Sequence, residues 1–149
     1  MNDHTFNMLI VEDNKDDLQY LNKVISIDTQ LNVQHISNDS DDALSYLTHK
    51  EKYAGAYKPD LILLDADISN HSGLKLLGFI NNSCELNGIP VLVLASDKHD
   101  ENDVKSYQDN SYYVIRKPVS YDKVANIFKK YSLYWELVTS SPHLSEPVD

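Results

Sequence analysis

The sequence predicts an α/β fold, a doubly wound five-stranded parallel sheet with helices on both faces. Short apolar runs alternate with amphipathic, helix-like segments five times along the chain. The runs are almost continuously apolar, which is typical of parallel strands that are buried on both faces. Strands that are joined through helices need right-handed crossovers, and this rule makes the doubly wound sheet the leading topology.

Five segments are predicted as strands from their apolar or alternating patterns. The third is the most apolar, and the fourth starts beside Pro90, where a missing N–H group is tolerated. The predicted strands cover residues 6–11, 32–37, 60–64, 89–95 and 112–116.

Five further segments are predicted as helices because their apolar residues recur at helical spacing. Asn14, Ser40 and Ser120 are expected to cap the first, second and last of them. The predicted helices cover residues 14–27, 40–50, 73–82, 101–109 and 121–137. The final segment has two prolines and no periodicity, so we predict one domain at 1–138 and a mobile tail at 139–149.

The charge balance argues against two classes of partner. The chain has 13 Lys and Arg residues against 23 Asp and Glu, a net charge of −10. Nucleic acid and anionic membrane surfaces would be repelled, so neither is expected as a partner. No apolar run approaches the roughly 18 residues that span a bilayer, and the acidic start does not resemble a signal peptide. The single cysteine, Cys84, excludes an intramolecular disulfide, so we expect a cytoplasmic protein.

Charged side chains follow three of the predicted strands. Glu12 and Asp13 come after the first, Asp65 after the apolar run of the third, and Lys117 after the fifth. The carboxyl ends of parallel strands meet at one edge of the sheet, where ligands bind. Two carboxylates about 4 Å apart repel by roughly 4 kcal/mol at an effective dielectric constant near 20. The sequence therefore predicts a bound divalent cation, Mg²⁺ or Mn²⁺, at this edge.

These groups together indicate phosphoryl chemistry. A carboxylate beside a magnesium ion and a lysine can attack a phosphoryl group and become an aspartyl phosphate. Asp65 is predicted as the nucleophile because it lies at the tip of the most apolar strand. Asp13 is predicted to bind the metal directly and Glu12 through water, while Lys117 holds the incoming oxygens.

This ordered set of residues resembles the receiver domain of two-component response regulators. The resemblance covers about residues 5–133 and implies a flavodoxin-like, receiver-like fold and a phosphoacceptor signalling domain rather than a turnover enzyme. The matching residues are Glu12, Asp13, Asp65, Gly73, Pro90, Lys117 and Pro118.

The resemblance also implies roles and partners. A sensor histidine kinase would phosphorylate Asp65, with magnesium held by Asp13, Asp65 and the backbone carbonyl of Asp67. Two stretches, 89–107 and 131–138, are similar to stand-alone regulators that serve phytochromes and related sensor kinases, which implies a phytochrome-type partner.

A partner surface is expected on the fourth helix, fifth strand and fifth helix, where the phosphorylated form of such domains changes. We predict that Tyr107 and Tyr112 are exposed contacts on this surface, because aromatic residues are enriched in protein interfaces. A homodimer through the same face is our hypothesis.

The switch positions depart from the family pattern. The family places Thr or Ser after the fourth strand, whereas this chain has Ala95 there and Ser96 one residue later. The family's Tyr or Phe three residues before the lysine is Val114 here. A shift of one residue turns a strand side chain to the other face, so Ser96 is not expected to substitute without a bulge.

Three functions remain open. The first is phosphoacceptor signalling, with output through partner binding, dimerisation or onward phosphotransfer. The second is a degenerate, non-phosphorylated receiver that acts as an interaction module. The third follows from a resemblance of "LLDADIS" to the DxD signature of haloacid-dehalogenase-type phosphatases, with Asp65 as nucleophile and Asp67 as acid/base. That motif usually opens its domain, whereas 64 residues precede Asp65 here.

Overall fold

Five parallel strands form one sheet in the computed structural model of the chain, which describes residues 6–26, 31–68, 72–95, 112–116 and 126. The strands are β1 (Phe6–Val11), β2 (Leu31–Ser37), β3 (Leu61–Asp65), β4 (Val91–Ala95) and β5 (Tyr112–Arg116). They lie in the order β2-β1-β3-β4-β5, and every neighbouring pair is parallel. The order reverses between β1 and β3, so the predicted doubly wound sheet is confirmed.

Three α-helices have both ends within the described residues, together with a short 3₁₀-helix at Glu51–Tyr53. The helices are α1 (Lys15–Ser26), α2 (Ser40–Leu47) and α3 (Gly73–Asn82). None of the described helices is long and apolar enough to cross a membrane. Three predicted segments lie outside the described residues: the helix at 101–109, the helix at 121–137 and the tail at 139–149. The one exception is Asn126, which is described and is helical.

The first two helices begin with side-chain caps, one of them at the predicted residue. Asn14 caps α1 as predicted, because its Oδ1 accepts a hydrogen bond of 3.0 Å from the N–H of Asp17. The cap predicted at Ser40 is wrong by one residue. Asp39 has extended backbone angles and accepts a 2.7 Å bond from the N–H of Asp42, so Ser40 is the first helical residue. The α2 helix ends at Leu47, before His49 enters the left-handed region with φ 57°.

The core consists of two apolar layers, one on each face of the sheet. Alternation along the strands sends successive side chains to opposite faces. Met8 and Ile10 of β1 therefore pack with the α1 residues Leu21 and Ile25. Leu9 and Val11, which alternate with Met8 and Ile10 along β1, lie on the other face and pack in the layer that contains α2 and α3.

A polar network attaches α2 to the edge strand β2. The Oδ2 atom of Asp42 accepts hydrogen bonds from His35 Nε2 at 3.0 Å and from Ser37 Oγ at 2.8 Å. Its Oδ1 atom accepts a 2.6 Å bond from the hydroxyl of Tyr53. The His35 ring also stacks on Tyr46, with centroids 4.4 Å apart. The network therefore joins a strand, a helix and the 3₁₀-helix through one carboxylate.

The network shifts the acidity of its members. Burial acts to raise the pKa of Asp42, but hydrogen bonds from Tyr53, His35 and Ser37 together outweigh it, so the pKa is lowered. The same hydrogen bond to Asp42 raises the pKa of Tyr53 to about 12. Both shifts favour the arrangement in which Asp42 is ionised and Tyr53 is protonated.

We expect Asp42→Asn to lower the free energy of unfolding by roughly 2 kcal/mol at pH 7, because bonds to a charged acceptor are lost. The matched control is Asp41→Asn, which changes an exposed acid in the same helical turn and should cost less than about 0.5 kcal/mol. Urea unfolding of both variants and of the wild type measures the difference.

The same difference should depend on pH. Because the pKa of Asp42 is lower in the folded protein than its ordinary value of 3.8, its contribution is fully present above that value. It is lost as the pH falls through the folded pKa. Equal losses for Asp42→Asn and Asp41→Asn, or a difference that persists in acid, would contradict this role.

Candidate functional site

Two buried carboxylates lie at the carboxyl ends of adjacent strands. Glu12 directly follows β1 and Asp65 ends β3, and they are 1% and 3% exposed. The β1–β3 register pairs Val11 with Leu64, so the next positions bring the two acids side by side. By strand alternation, Glu12 continues the row of Met8 and Ile10 on the α1 side of the sheet. Asp65 continues the equivalent row of β3 on that side.

A third acid comes from α1. One oxygen each from Glu12, Asp17 and Asp65 lies within 4.8 Å of the other two. Asp17 is half-buried in the first turn of α1. Sequence reasoning missed this residue, although a signal was present. Asp17 precedes Leu21 and Ile25 at steps of four residues, so it lies on the helix face that these buried residues turn towards the sheet.

The predicted metal ligands have different positions in the structure. Asp13 is exposed and is not a member of the Glu12–Asp17–Asp65 group, so its role as the direct ligand stays a prediction. Asp67 is half-buried, and its backbone N–H donates a 2.8 Å hydrogen bond to Asp65 Oδ1. The role of its backbone carbonyl likewise stays a prediction. Lys117 lies outside the described residues.

The turn after Asp65 is held by close backbone packing. The N–H of Ala66 donates to the carbonyl of Leu94 at 2.8 Å, which extends the β3–β4 pairing by one residue. Gly73 opens α3 directly against this turn. A Cβ atom on Gly73 would lie 2.6 Å from the carbonyl oxygen of Asp65 and 2.9 Å from Cα of Ala66. Only glycine allows α3 to begin so close to the strand end.

A side-chain contact connects the same turn to α2. Ser40 Oγ, at the start of α2, lies 2.7 Å from Oγ of Ser72, the residue before α3. The N-terminal ends of the two helices are therefore joined beside the acidic site.

Two of the three predicted switch positions, Ala95 and Val114, lie in the other apolar layer. Ala95 ends β4 and is fully buried in the layer that contains α2 and α3. Val114 of β5 is half-buried and packs against that layer. Of the remaining predicted positions, Ser96 and Tyr107 lie outside the described residues, and Tyr112 opens the edge strand β5.

The donor set fits a hard divalent cation. Each pair of ionised carboxylates at the observed spacing repels by roughly 4 kcal/mol at an effective dielectric constant near 20. The group offers oxygen atoms alone, from Glu12, Asp17 and Asp65. Oxygen donors with clustered negative charge are the set that Mg²⁺ and Mn²⁺ prefer.

Comparison with known proteins identifies the family. The family model of the response regulator receiver domain matches residues 8–129. The chain belongs to this family. Receiver domains are signalling domains of two-component systems, for which phosphorylation and divalent metal binding are general properties.

The relatives of the chain include regulators of phytochrome signalling. The chain is 30% identical to response regulator Rcp1 of Synechocystis sp. over 101 residues, which are 68% of this chain and 69% of Rcp1. The crystal structure of the phosphorylated cyanobacterial phytochrome response regulator RcpA has a TM-score of 0.71 and 28% identity, covering 88% of this chain and 94% of RcpA.

A second solved structure is the Mn²⁺-bound form of response regulator Rcp1. It has a TM-score of 0.68 and 27% identity, with 82% of this chain and 91% of that one covered. The predicted resemblance to phytochrome-associated receiver domains is confirmed by these relatives. Receiver domains of this kind work with histidine kinases.

We expect Gly73→Ala to lower the free energy of unfolding by about 1–3 kcal/mol, because the added Cβ meets backbone atoms that cannot rotate away. The control is Gly55→Ala, where a Cβ meets nothing within 4 Å. That change should be neutral or stabilising by up to about 1 kcal/mol. Urea unfolding of both variants checks the prediction. Equal free energies of unfolding would show that the close approach of α3 to the strand end does not require glycine.

Proposed function

We propose that this receiver domain accepts a phosphoryl group on Asp65 from a sensor histidine kinase in a reaction that depends on Mg²⁺ or Mn²⁺. The observation that carries the proposal is the position of Asp65, a buried carboxylate beside two others at the carboxyl edge of the sheet. Such a group is desolvated and aimed at the edge where ligands of doubly wound sheets bind.

The transfer is a single displacement at phosphorus. A carboxylate oxygen of Asp65 forms an O–P bond while the P–N bond to the kinase's phosphohistidine breaks, and the histidine nitrogen keeps the electron pair. A divalent cation held by this site would supply the positive charge that offsets the repulsion between the two anions. The turn after β3 orients the nucleophile, because the Asp67 N–H holds Asp65 Oδ1 at 2.8 Å.

We assign the remaining roles from the family resemblance. Asp13 and the backbone carbonyl of Asp67 would hold the metal together with Asp65, and Glu12 would contribute through water. Lys117 holds a phosphoryl oxygen. The Mn²⁺-bound form of Rcp1, a relative with 27% identity, supports a divalent metal in this fold.

We further propose a phytochrome-type sensor kinase as the partner, with RcpA and Rcp1 as the supporting relatives. We propose that this exchange takes place in the cytoplasm, because the kinase would take its phosphoryl group from ATP there. Output then proceeds through partner binding, dimerisation or onward phosphotransfer.

Incubation with Mg²⁺ and acetyl phosphate should add the mass of one phosphoryl group to the intact protein. Asp65→Asn should abolish the adduct, because it removes the nucleophilic oxygen. Asp67→Asn is the matched control. It removes a neighbouring carboxylate but keeps the backbone carbonyl, so the adduct should persist. Chelation of the metal with EDTA should prevent its formation.

The alternatives predict different outcomes of the same experiment. An interaction module would give no adduct at any Mg²⁺ concentration, and the loss of the usual hydroxyl at Ala95 is the feature that favours this second function. A DxD-type phosphatase would instead hydrolyse phosphomonoesters over many turnovers. An adduct that survives in Asp65→Asn would disprove the assignment of the acceptor.

A homodimer through the fourth-helix, fifth-strand and fifth-helix face should appear as a doubled light-scattering mass at micromolar concentration once phosphodonor and Mg²⁺ are present. We expect Tyr107→Ser and Tyr112→Ser to weaken it, because each removes an aromatic contact from that face. Tyr57→Ser is the control, since this tyrosine is 79% exposed and lies outside the face. The mass of one chain, with and without phosphodonor, would remove the dimer hypothesis.

A further inference from the structure

We propose that Asp17 of α1 is an additional carboxylate of the divalent metal site and sets its affinity. This inference rests on the proposed function, because it concerns the same site. The family resemblance implies a metal site made of Glu12, Asp13, Asp65 and the backbone carbonyl of Asp67. Asp17 is outside that set and is placed there by the geometry of this chain, within 4.8 Å of Glu12 and Asp65 by one oxygen of each.

The start of α1 is tied to Glu12, which places Asp17 firmly. The N–H of Asn14 donates a 3.2 Å hydrogen bond to Glu12 Oε1. Asn14 in turn caps the helix by accepting from the N–H of Asp17 at 3.0 Å. The same short segment therefore connects the backbones of both acids, and Asp17 is held near Glu12 by hydrogen bonds rather than by a loose loop.

Packing further along the helix fixes the rotation of α1. Leu21 and Ile25, one and two turns after Asp17, are buried in the apolar layer on this side of the sheet. Residues four apart on a helix lie on one face. The apolar contacts therefore turn Asp17 towards Glu12 and Asp65, and this orientation cannot relax without exposing the two apolar side chains.

Asp16 shows that the helix N-terminus alone does not explain this position. Asp16 and Asp17 both lie in the first turn of α1, where an acid interacts favourably with the helix dipole. Asp16 is exposed, however, and is not in the carboxylate group. An acid that served the helix dipole alone would gain nothing from lying beside two buried carboxylates. A cation shared by the three acids compensates the repulsion.

The inference predicts two effects of opposite sign. Without metal, Asp17 adds repulsion to the site, so Asp17→Asn should raise the thermal unfolding midpoint of the metal-free protein. With metal, Asp17 adds attraction, so the same change should weaken Mn²⁺ binding by about tenfold or more. The gain in thermal midpoint that Mn²⁺ brings should shrink accordingly. A residue that only stabilised α1 would not move these two quantities in opposite directions.

The experiment titrates metal-free protein with MnCl₂ by isothermal calorimetry and by the electron paramagnetic resonance signal of free Mn²⁺. Asp16→Asn is the matched control, because it removes the same charge one residue away in the same turn, and it should bind Mn²⁺ as the wild type does. Asp17→Glu keeps the charge and should restore part of the affinity. Thermal unfolding of each variant is followed by circular dichroism in EDTA and in Mn²⁺.

The outcomes separate this inference from the proposed function. Mn²⁺ binding by the wild type with unchanged affinity in Asp17→Asn overturns the role of Asp17 and leaves the metal site intact. Equal losses in Asp17→Asn and Asp16→Asn overturn it as well, because they show a general effect of charge. A wild type that binds no Mn²⁺ overturns the metal part of the proposed function, and this inference with it.

Discussion

The parallel pairing of β1 with β3 is the constraint on which the rest of the structure depends. It places Glu12 and Asp65 side by side at the end of an apolar sheet, where each is almost fully buried. Like charges in such a place repel strongly and lack the water that would screen them. A divalent cation, which receiver domains bind as a family, would offset this repulsion, and under the proposed function its binding would also stabilise the fold.

Several local contacts keep this strained edge in one geometry. The Asp67 N–H holds the acceptor carboxylate, and Gly73 lets α3 begin against the backbone of the turn. The contact between Ser40 and Ser72 joins α2 to the same turn. Each contact is small, but together they attach Asp65, the proposed nucleophile, to strand ends and helix starts rather than to a free loop. Rigid positioning of this kind would favour the proposed in-line transfer, because little would have to be ordered when a phosphodonor arrives.

The proposed acceptor and the positions that the family uses as a switch belong to different faces of the sheet. By strand alternation Asp65 belongs to the α1 side, whereas Ala95 and Val114 pack in the layer that contains α2 and α3. The charges needed for chemistry are kept in this sequence, while the hydroxyl and aromatic groups that the family uses as a switch are replaced by small apolar side chains. Under the proposed function, a signal would therefore need another route from Asp65 to a partner surface.

Local patterns in the sequence determined the strands, the helices within the described residues and the expectation that acids meet at one edge, since periodicity and strand ends depend on neighbouring residues. They also placed Asp65 at the tip of β3. Only the tertiary structure decided that Asp17 joins the acids, because this depends on how Leu21 and Ile25 rotate α1 against the sheet. The contact between Ser40 and Ser72, 32 residues apart, was likewise decided by the tertiary structure. Contacts between distant segments depend on packing, which no local pattern records.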